Sequence, residues 1–298
     1  MSRAFPPDVV VIDTDGILHA RLSAGKKTAR IVYGRTYRLP EGTFTPAVVT
    51  PALANPAALA EVLRRMRAES GRVDKVSMLL PDPWFRMNLV ELPALSDRAD
   101  EARHAVRWSL RRTLPIPPET LRVAWDTLGK AGTNVKLFVV SAVEETLAAI
   151  EKVFEAAGIE VVLIEPAGLN IWNAVAVRET ATTGDRIFFY IRDHDFTTAV
   201  FRGPQPLFIR SRNLSGDRTL QQEIRLSATY LRDTLQAASV ERCYVAGNSV
   251  SDDLRREVEE EFGAPVSPVN LRDFVERVPS EVGDVEAELT ACTGVFTG

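Results

Sequence analysis

The sequence is poor in the residues that carry metal and nucleophile chemistry. Its 298 residues include three histidines and two cysteines. His19, His104 and His194 stand far apart, and none has a partner at metal-ligand spacing. Cys243 lies in the apolar run "RCYVAG" and reads as a buried thiol of a reducing compartment, with Cys292 distant from it. There is no G-x-S-x-G, no Walker loop and no G-x-G-x-x-G, so neither a serine hydrolase nor a Rossmann dehydrogenase has support. No apolar run reaches the ~18 residues that a membrane span needs. The opening "MSRAFPPDVVVID" has only a short apolar run that ends at Asp13, unlike a signal peptide. Basic charge is not in excess either: Lys and Arg total 36 against 40 Asp and Glu, and the pI is about 5.6. A nucleic-acid partner is therefore not expected, because phosphate neutralisation needs a basic surface. The expected location is the cytoplasm.

What is present is the composition of a globular protein, 45% apolar and 26% charged, with length for one large domain or two ordinary ones. Three strands open the chain: "DVVVID" (8–13), "ILHARLS" (17–23) and the alternating "ARIVYGRTYRL" (29–39). Asn55-Pro56 then reads as an N-cap with proline in the first turn. The helix that follows has Leu59, Val62, Leu63 and Met66 on one face and stops at Gly71. "KVSMLLP" (75–81) is a further buried strand. The same order returns later: "RIFFYI", "TTAVFR" and "PLFIRSRNL" as strands, a helix over 217–236, and the strand "RCYVAG". A β-β-β-α-β pattern thus occurs twice without visible sequence repetition. Each copy places an Asp-containing turn between its first two strands, "DTDG" (13–16) and "RDHD" (192–195).

Between the copies lies a βαββα module. "RMNLVELP" is a strand. Residues 96–115 read as a helix with Ser96 as N-cap. "TLRVAWDTLG" and "NVKLFVVSAV" pair as strands, and "EETLAAIEKVFEAAG" is an amphipathic helix closed by Gly158. The strand "EVVLIEP" and the helix "GLNIWNAVAVR" lead into the second copy, and a tail follows with helices at 251–263 and near 284–294.

Several stretches resemble the PilM type IV pilus assembly proteins, relatives of the cell-division protein FtsA and of the cytoplasmic domain of the secretion protein GspL. They are "ELPALSDRADEARHAVRWSLRRTLPIPPETLRVAWDTLG", "VKLFVVSAVEETLAAIEKVFEAAGIEVVLIEPAGLNIWNAV", "IRSRNLSGDRTLQQEI" and "CYVAGNSVSDDLRREVEEEFGAPVSPVNL". The resemblance implies an α/β, duplicated ribonuclease H-like (actin-like) fold with an inserted subdomain. It implies a first subdomain of 1–85 with 159–183, an insertion of 86–158 and a second subdomain of 184–298. It also implies a partner, the cytoplasmic N-terminal tail of an inner-membrane PilN-like protein. The chain would then lie at the inner face of the inner membrane, and self-association is open.

The phosphate loops depart from that family. Its first loop resembles D-x-G-S-x-x-x-K; here Asp13 is kept, Asp15 stands near the glycine position, Gly16 comes one residue late and His19 stands near the lysine. Its second resembles D-x-G-x-x-x-T; here Arg192 and His194 replace Asp and Gly, while Thr197 and Thr198 remain. The adenosine-side G-G-G is Gly247-Asn248-Ser249. A Cβ at a glycine position blocks close approach of backbone N–H groups to phosphate, and an arginine in place of a carboxylate repels Mg2+. Asp13, Asp15, Gly16, Arg192, Thr197 and Gly247 are therefore read as a vestigial nucleotide site. ATP with Mg2+ is the one cofactor the fold admits, though none is expected. No catalytic or metal-binding residue is assigned. Residues 192–195 are either a solvated charged turn, an Arg–Asp pair across the cleft with Asp13 or Asp15, or an arginine that holds phosphate. For the partner, the candidates are Trp84 and Phe85 at the entry to the insertion and the stripe Arg103, Arg107 and Arg111 on its helix. Hinge packing and a solvated helix face are the competing explanations. The expected function is a pseudo-ATPase scaffold of a pilus or secretion machine; the alternative is an actin-like protein switched by nucleotide.

Overall fold

A computed structural model of the chain describes residues 5–24, 29–45, 50–179, 184–192, 194–214, 219–235, 240–248, 250–276 and 285–295. The readings that fall on Asp193, on Ser249, on 215–218, on Gln236 and on Asp284 lie outside the described residues.

The first copy forms β1 (Asp8–Ile12), β2 (Gly16–Ala24), β3 (Ala29–Arg38), the short pair β4 (Phe44–Thr45) and β5 (Ala52–Leu53), α1 (Pro56–Ser70) and β6 (Lys75–Leu80). The intervening segment forms β7 (Arg86–Leu92), α2 (Ala99–Ser109), β8 (Leu121–Ala131), β9 (Asn134–Val143), α3 (Glu144–Ala156), β10 (Glu160–Pro166) and α4 (Ala167–Ala176). The second copy forms β11 (Asp185–Ile191), β12 (Asp195–Arg202), β13 (Gln205–Asn213), α5 (Leu220–Asp233), β14 (Val240–Gly247), α6 (Asp252–Phe262), β15 (Val266–Pro268) and α7 (Glu286–Gly294).

Two five-stranded sheets result, in the orders β10-β6-β1-β2-β3 and β13-β12-β11-β14-β15. In each, an antiparallel meander of three strands is extended by parallel strands, as the repeated pattern requires. Strand alternation sorts the side chains into layers. Val10 and Ile12 of β1 face α1 and α3, while Val9 and Val11 face the centre of the molecule. In β11, Phe188 and Tyr190 face the same centre, and Ile187, Phe189 and Ile191 face α5 and α6. The central core is therefore common to both sheets and is closed by α4 and α7. Gly294 lets these helices cross closely, since a Cβ there would overlap the Asn170 carbonyl.

A third sheet, β7-β9-β8, stands apart with α2 on one face, where Val106 and Leu110 meet Leu121, Val123, Leu137 and Val139. The helix α3, grouped with the insertion on sequence order, packs against α1 and β10 under the first sheet. Its apolar face (Leu147, Ile150, Phe154) finds its complement there. Helix ends differ in detail. Asn55 caps α1 by accepting from the Ala58 N–H (3.1 Å). Helix α2 begins at Ala99, not at Ser96, whose hydroxyl instead accepts from the Arg98 N–H and donates to Glu101. Helix α5 is capped by a box of Thr219 and Gln222. Both cysteines are buried free thiols, and no helix among the described residues is long and apolar enough to cross a membrane.

Candidate functional site

The two Asp-containing turns face each other. The β1–β2 turn is closed by the Asp13 N–H donating to the Gly16 carbonyl (2.8 Å), the β11–β12 turn by reciprocal bonds between Arg192 and Asp195 (2.9 and 3.3 Å). Asp13 accepts from the Thr14 N–H through Oδ1 and from the Arg192 guanidinium through Oδ2. Of the three readings of residues 192–195, the pair across the cleft is the one the structure shows, and Asp13 rather than the exposed Asp15 is the partner. Asp195 and Glu288, the latter from α7, each bring a carboxylate oxygen to 4.0 Å from the same guanidinium. Burial opposes the charge of Arg192, but Tyr190, Asp13, Glu288 and Asp195 around it outweigh that and hold it protonated.

The carboxylates respond in the opposite direction. Burial pushes Asp195 up to about 6 despite Arg192, and it raises Glu288 as well. Behind them lies Asp82, just past β6 and 1% exposed. Its Oδ1 accepts from the Gly168 N–H at 2.7 Å; its Oδ2 closes no hydrogen bond, and the nearby Thr197 hydroxyl donates to Ser211 (3.0 Å). Burial pushes Asp82 up to about 6, only partly offset by Gly168, Thr197 and Arg192. A carboxyl with a raised folded-state pKa keeps a proton that the unfolded chain gives up. Its contribution to stability is thus full below the unfolded value near 4 and lost as pH rises through about 6. Asp82→Asn, which keeps the acceptor for Gly168, should therefore stabilise the protein by about 1–2 kcal/mol at pH 8. The gain should shrink as pH falls from 6 to 4 in urea unfolding. An Asn variant less stable than the parent at pH 8 would refute the assignment.

Gly247 has φ +134°, and a Cβ there would overlap the Ile191 carbonyl. Its glycine is demanded by strand packing, since Gly247 sits opposite Ile191 in the parallel pair β11–β14. Gly16 is likewise crowded, its would-be Cβ 3.2 Å from the Tyr37 carbonyl. Thr197 is buried in β12. His19 is remote from the turns: it is fully buried with Nε2 2.7 Å from Asp8 at the opposite end of β1. These residues do not fit Mg2+·ATP. The space between the turns holds a guanidinium already ringed by the carboxylates a hydrated cation would need. Among the described residues, no three of His, Cys, Asp and Glu are placed to hold a metal ion.

The partner candidates fare unequally. Trp84 and Phe85 are each 4% exposed, with Trp84 packed on Phe44 (5.0 Å between centroids) and its carbonyl held by the Thr50 hydroxyl (2.7 Å). They belong to the core under the first sheet and offer no docking surface. Arg103 and Arg111 are exposed and Arg107 half-buried. Arg103 pairs with Asp100 (3.4 Å), and Arg111 lies 4.3 Å over the ring of Trp108, itself 53% exposed.

Sequence reading missed a groove of about 920 Å³ between the third sheet, the β10–α4 connection and the β12–β13 turn. Its walls are largely apolar: Trp125, Phe138 and Val140 on one side, Leu163, Leu169 and Trp172 on the other. Gln205, the first residue of β13, donates to the Leu128 carbonyl (3.1 Å) and ties the β12–β13 hairpin to β8. The lining comes from segments spread over residues 124–209, so no local pattern announces it.

No family model and no curated protein matches the sequence. Solved structures do. A PilM–PilN type IV pilus biogenesis complex is similar over 99% of both chains, with TM-score 0.78 and 21% identity. A protein of Bacteroides thetaiotaomicron described as having an actin-like ATPase fold matches over 95% of both chains (TM-score 0.55, 12% identity). The fold is that of the actin-like ATPases. The cytoplasmic domain of EpsL, an inner-membrane component of the type II secretion system of Vibrio cholerae, shares it over 98% of this chain and 94% of that one (TM-score 0.53, 11% identity).

Proposed function

We propose that this actin-like chain is a scaffold of a type IV pilus or type II secretion-like machine, not an ATPase. In that role it binds the cytoplasmic tail of an inner-membrane PilN-like protein and is recruited to the membrane through it. The observation that carries the non-catalytic part is Arg192, whose guanidinium pairs with Asp13 where phosphate and metal would have to enter. The apolar groove beside the third sheet supports the partner part, because it offers an extended segment two apolar walls and an open top. The likeness to a PilM chain solved with PilN agrees with this choice of partner.

Two measurements test the proposal. Calorimetry with ATP and Mg2+ should give no saturable heat; tight binding would remove the scaffold reading in favour of a nucleotide-switched one. A synthetic tail peptide at about 100 times its Kd should stabilise the protein by about 2.7 kcal/mol, which raises Tm by several degrees. A peptide that leaves Tm unmoved at millimolar concentration removes the partner reading.

A further inference from the structure

The groove has a charge character that its apolar walls conceal. The third sheet carries apolar residues on both faces. One face is covered by α2. On the other, Met87 pairs with Val140 and Leu89 with Phe138, and Phe138 and Val140 stay half-exposed in the groove. An antiparallel sheet commonly leaves one face to water, but that face is then polar; an apolar one left half-open marks a place for a partner.

Four charged side chains line the groove: Asp126, Glu165, Glu179 and Arg186. Arg186 is already engaged. It donates to the Gly203 carbonyl (2.5 Å), lies 4.0 Å from Glu179 and sits 5.4 Å over the Trp172 ring. That leaves Asp126, on the Phe138-facing side of β8, and Glu165, at the end of β10. Neither has a cationic partner among the described residues. The Asn170 amide holds Glu165 in place (2.9 Å). Burial raises the Glu165 carboxyl above the usual range, and the charge of Asp126 adds to that. An exposed and a half-buried carboxylate beside apolar walls, neither ion-paired among the described residues, favour a cation arriving between them.

We infer that the groove accepts an extended apolar peptide segment carrying one lysine or arginine, whose charge Asp126 and Glu165 receive. This rests on the groove being the seat of the tail, as proposed above. The apolar walls supply most of the affinity; the carboxylates select among tails, because a segment with an acidic or neutral side chain there leaves them unpaired.

The test uses the full chain and a fluorescein-labelled synthetic peptide of the PilN-like cytoplasmic tail, natural or with its lysines and arginines replaced by norleucine and citrulline. Fluorescence anisotropy should show the uncharged peptide binding about tenfold more weakly. Glu165→Gln and the exposed Asp126→Asn should weaken the natural peptide by a similar factor and leave the uncharged one unchanged. Leu169→Arg, which fills the groove, should abolish both. If both peptides bind the parent equally, or if a tail without any basic residue binds as well, and Leu169→Arg still abolishes binding, the charge reading is overturned while the docking reading stands. If no peptide binds, or if Leu169→Arg has no effect, both are overturned.

Discussion

Arg192→Met should lower stability by about 2–3 kcal/mol at pH 7.5, and the deficit should narrow as the solution is acidified. The substitution keeps most of the aliphatic packing and removes the charge. Asp13, Asp195 and Glu288 then face one another without a cation, with side chains only 15–23% exposed. Breaking a buried pair from one side is costly because the remaining charge stays desolvated. The pH dependence follows from Asp195, which stands near 6 even with Arg192 beside it, and from Glu288, raised in the same direction. Without the arginine these carboxyls rise further. Below that window both are neutral in the folded protein, and the missing charge matters little. Urea unfolding at pH 7.5 and at pH 5 checks this; an equal loss at both values would show that packing, not charge, holds the turns together. The same variant bears on function, since calorimetry should still show no Mg2+·ATP binding while Asp15 and His194 carry side chains in the two turns. Recovery of nucleotide binding would mean that Arg192 alone blocks the cleft.

Gly247→Ala should be more damaging, by about 3–5 kcal/mol, and should yield mostly insoluble protein. Two costs add. The backbone stands at φ +134°, where an L side chain is strained by about 1–3 kcal/mol. The new methyl would also meet the Ile191 carbonyl in the neighbouring parallel strand, which forces β14 away from β11 or bends its end. The effect should appear in expression yield and in urea midpoint, and a chain as stable as the parent would overturn the placement of this strand end. Gly71→Ala is a suitable contrast. Gly71 also has positive φ, but open space surrounds its would-be Cβ, so backbone strain alone applies.

Much of the fold was legible because it is local. β1 and β11 alternate between two cores, so their side chains read as continuous β-branched and aromatic runs. α1 announced itself through Asn55-Pro56 and the spacing of Leu59, Val62, Leu63 and Met66. α5 carried its capping box in Thr219 and Gln222. The repeated β-β-β-α-β order set an Asp-containing turn in each copy and left a pair of Arg192 with Asp13 or Asp15 as one of three readings; the structure chose Asp13, 179 positions away. Asp82 and Glu288 left no such trace. One follows a buried strand and the other opens a helix, and each matters only because the tertiary fold brings it beneath Arg192.

The sequence by itself determined the strands, the helices, their order and the chemical departures in the three loops, because hydrophobic periodicity, caps and missing glycines are properties of neighbouring residues. Tertiary structure alone decided which contacts those elements make. It buried Trp84 and Phe85, which sequence left open to a partner, because Phe44 and the core under the first sheet close over them. It gave α3 to that sheet. It also built a groove from the third sheet, β10, α4 and the β12–β13 turn, and placed Asp126 and Glu165 in its lining, neither ion-paired among the described residues. Burial and charge balance are sums over residues distant in the chain, and they exist only once the chain has folded.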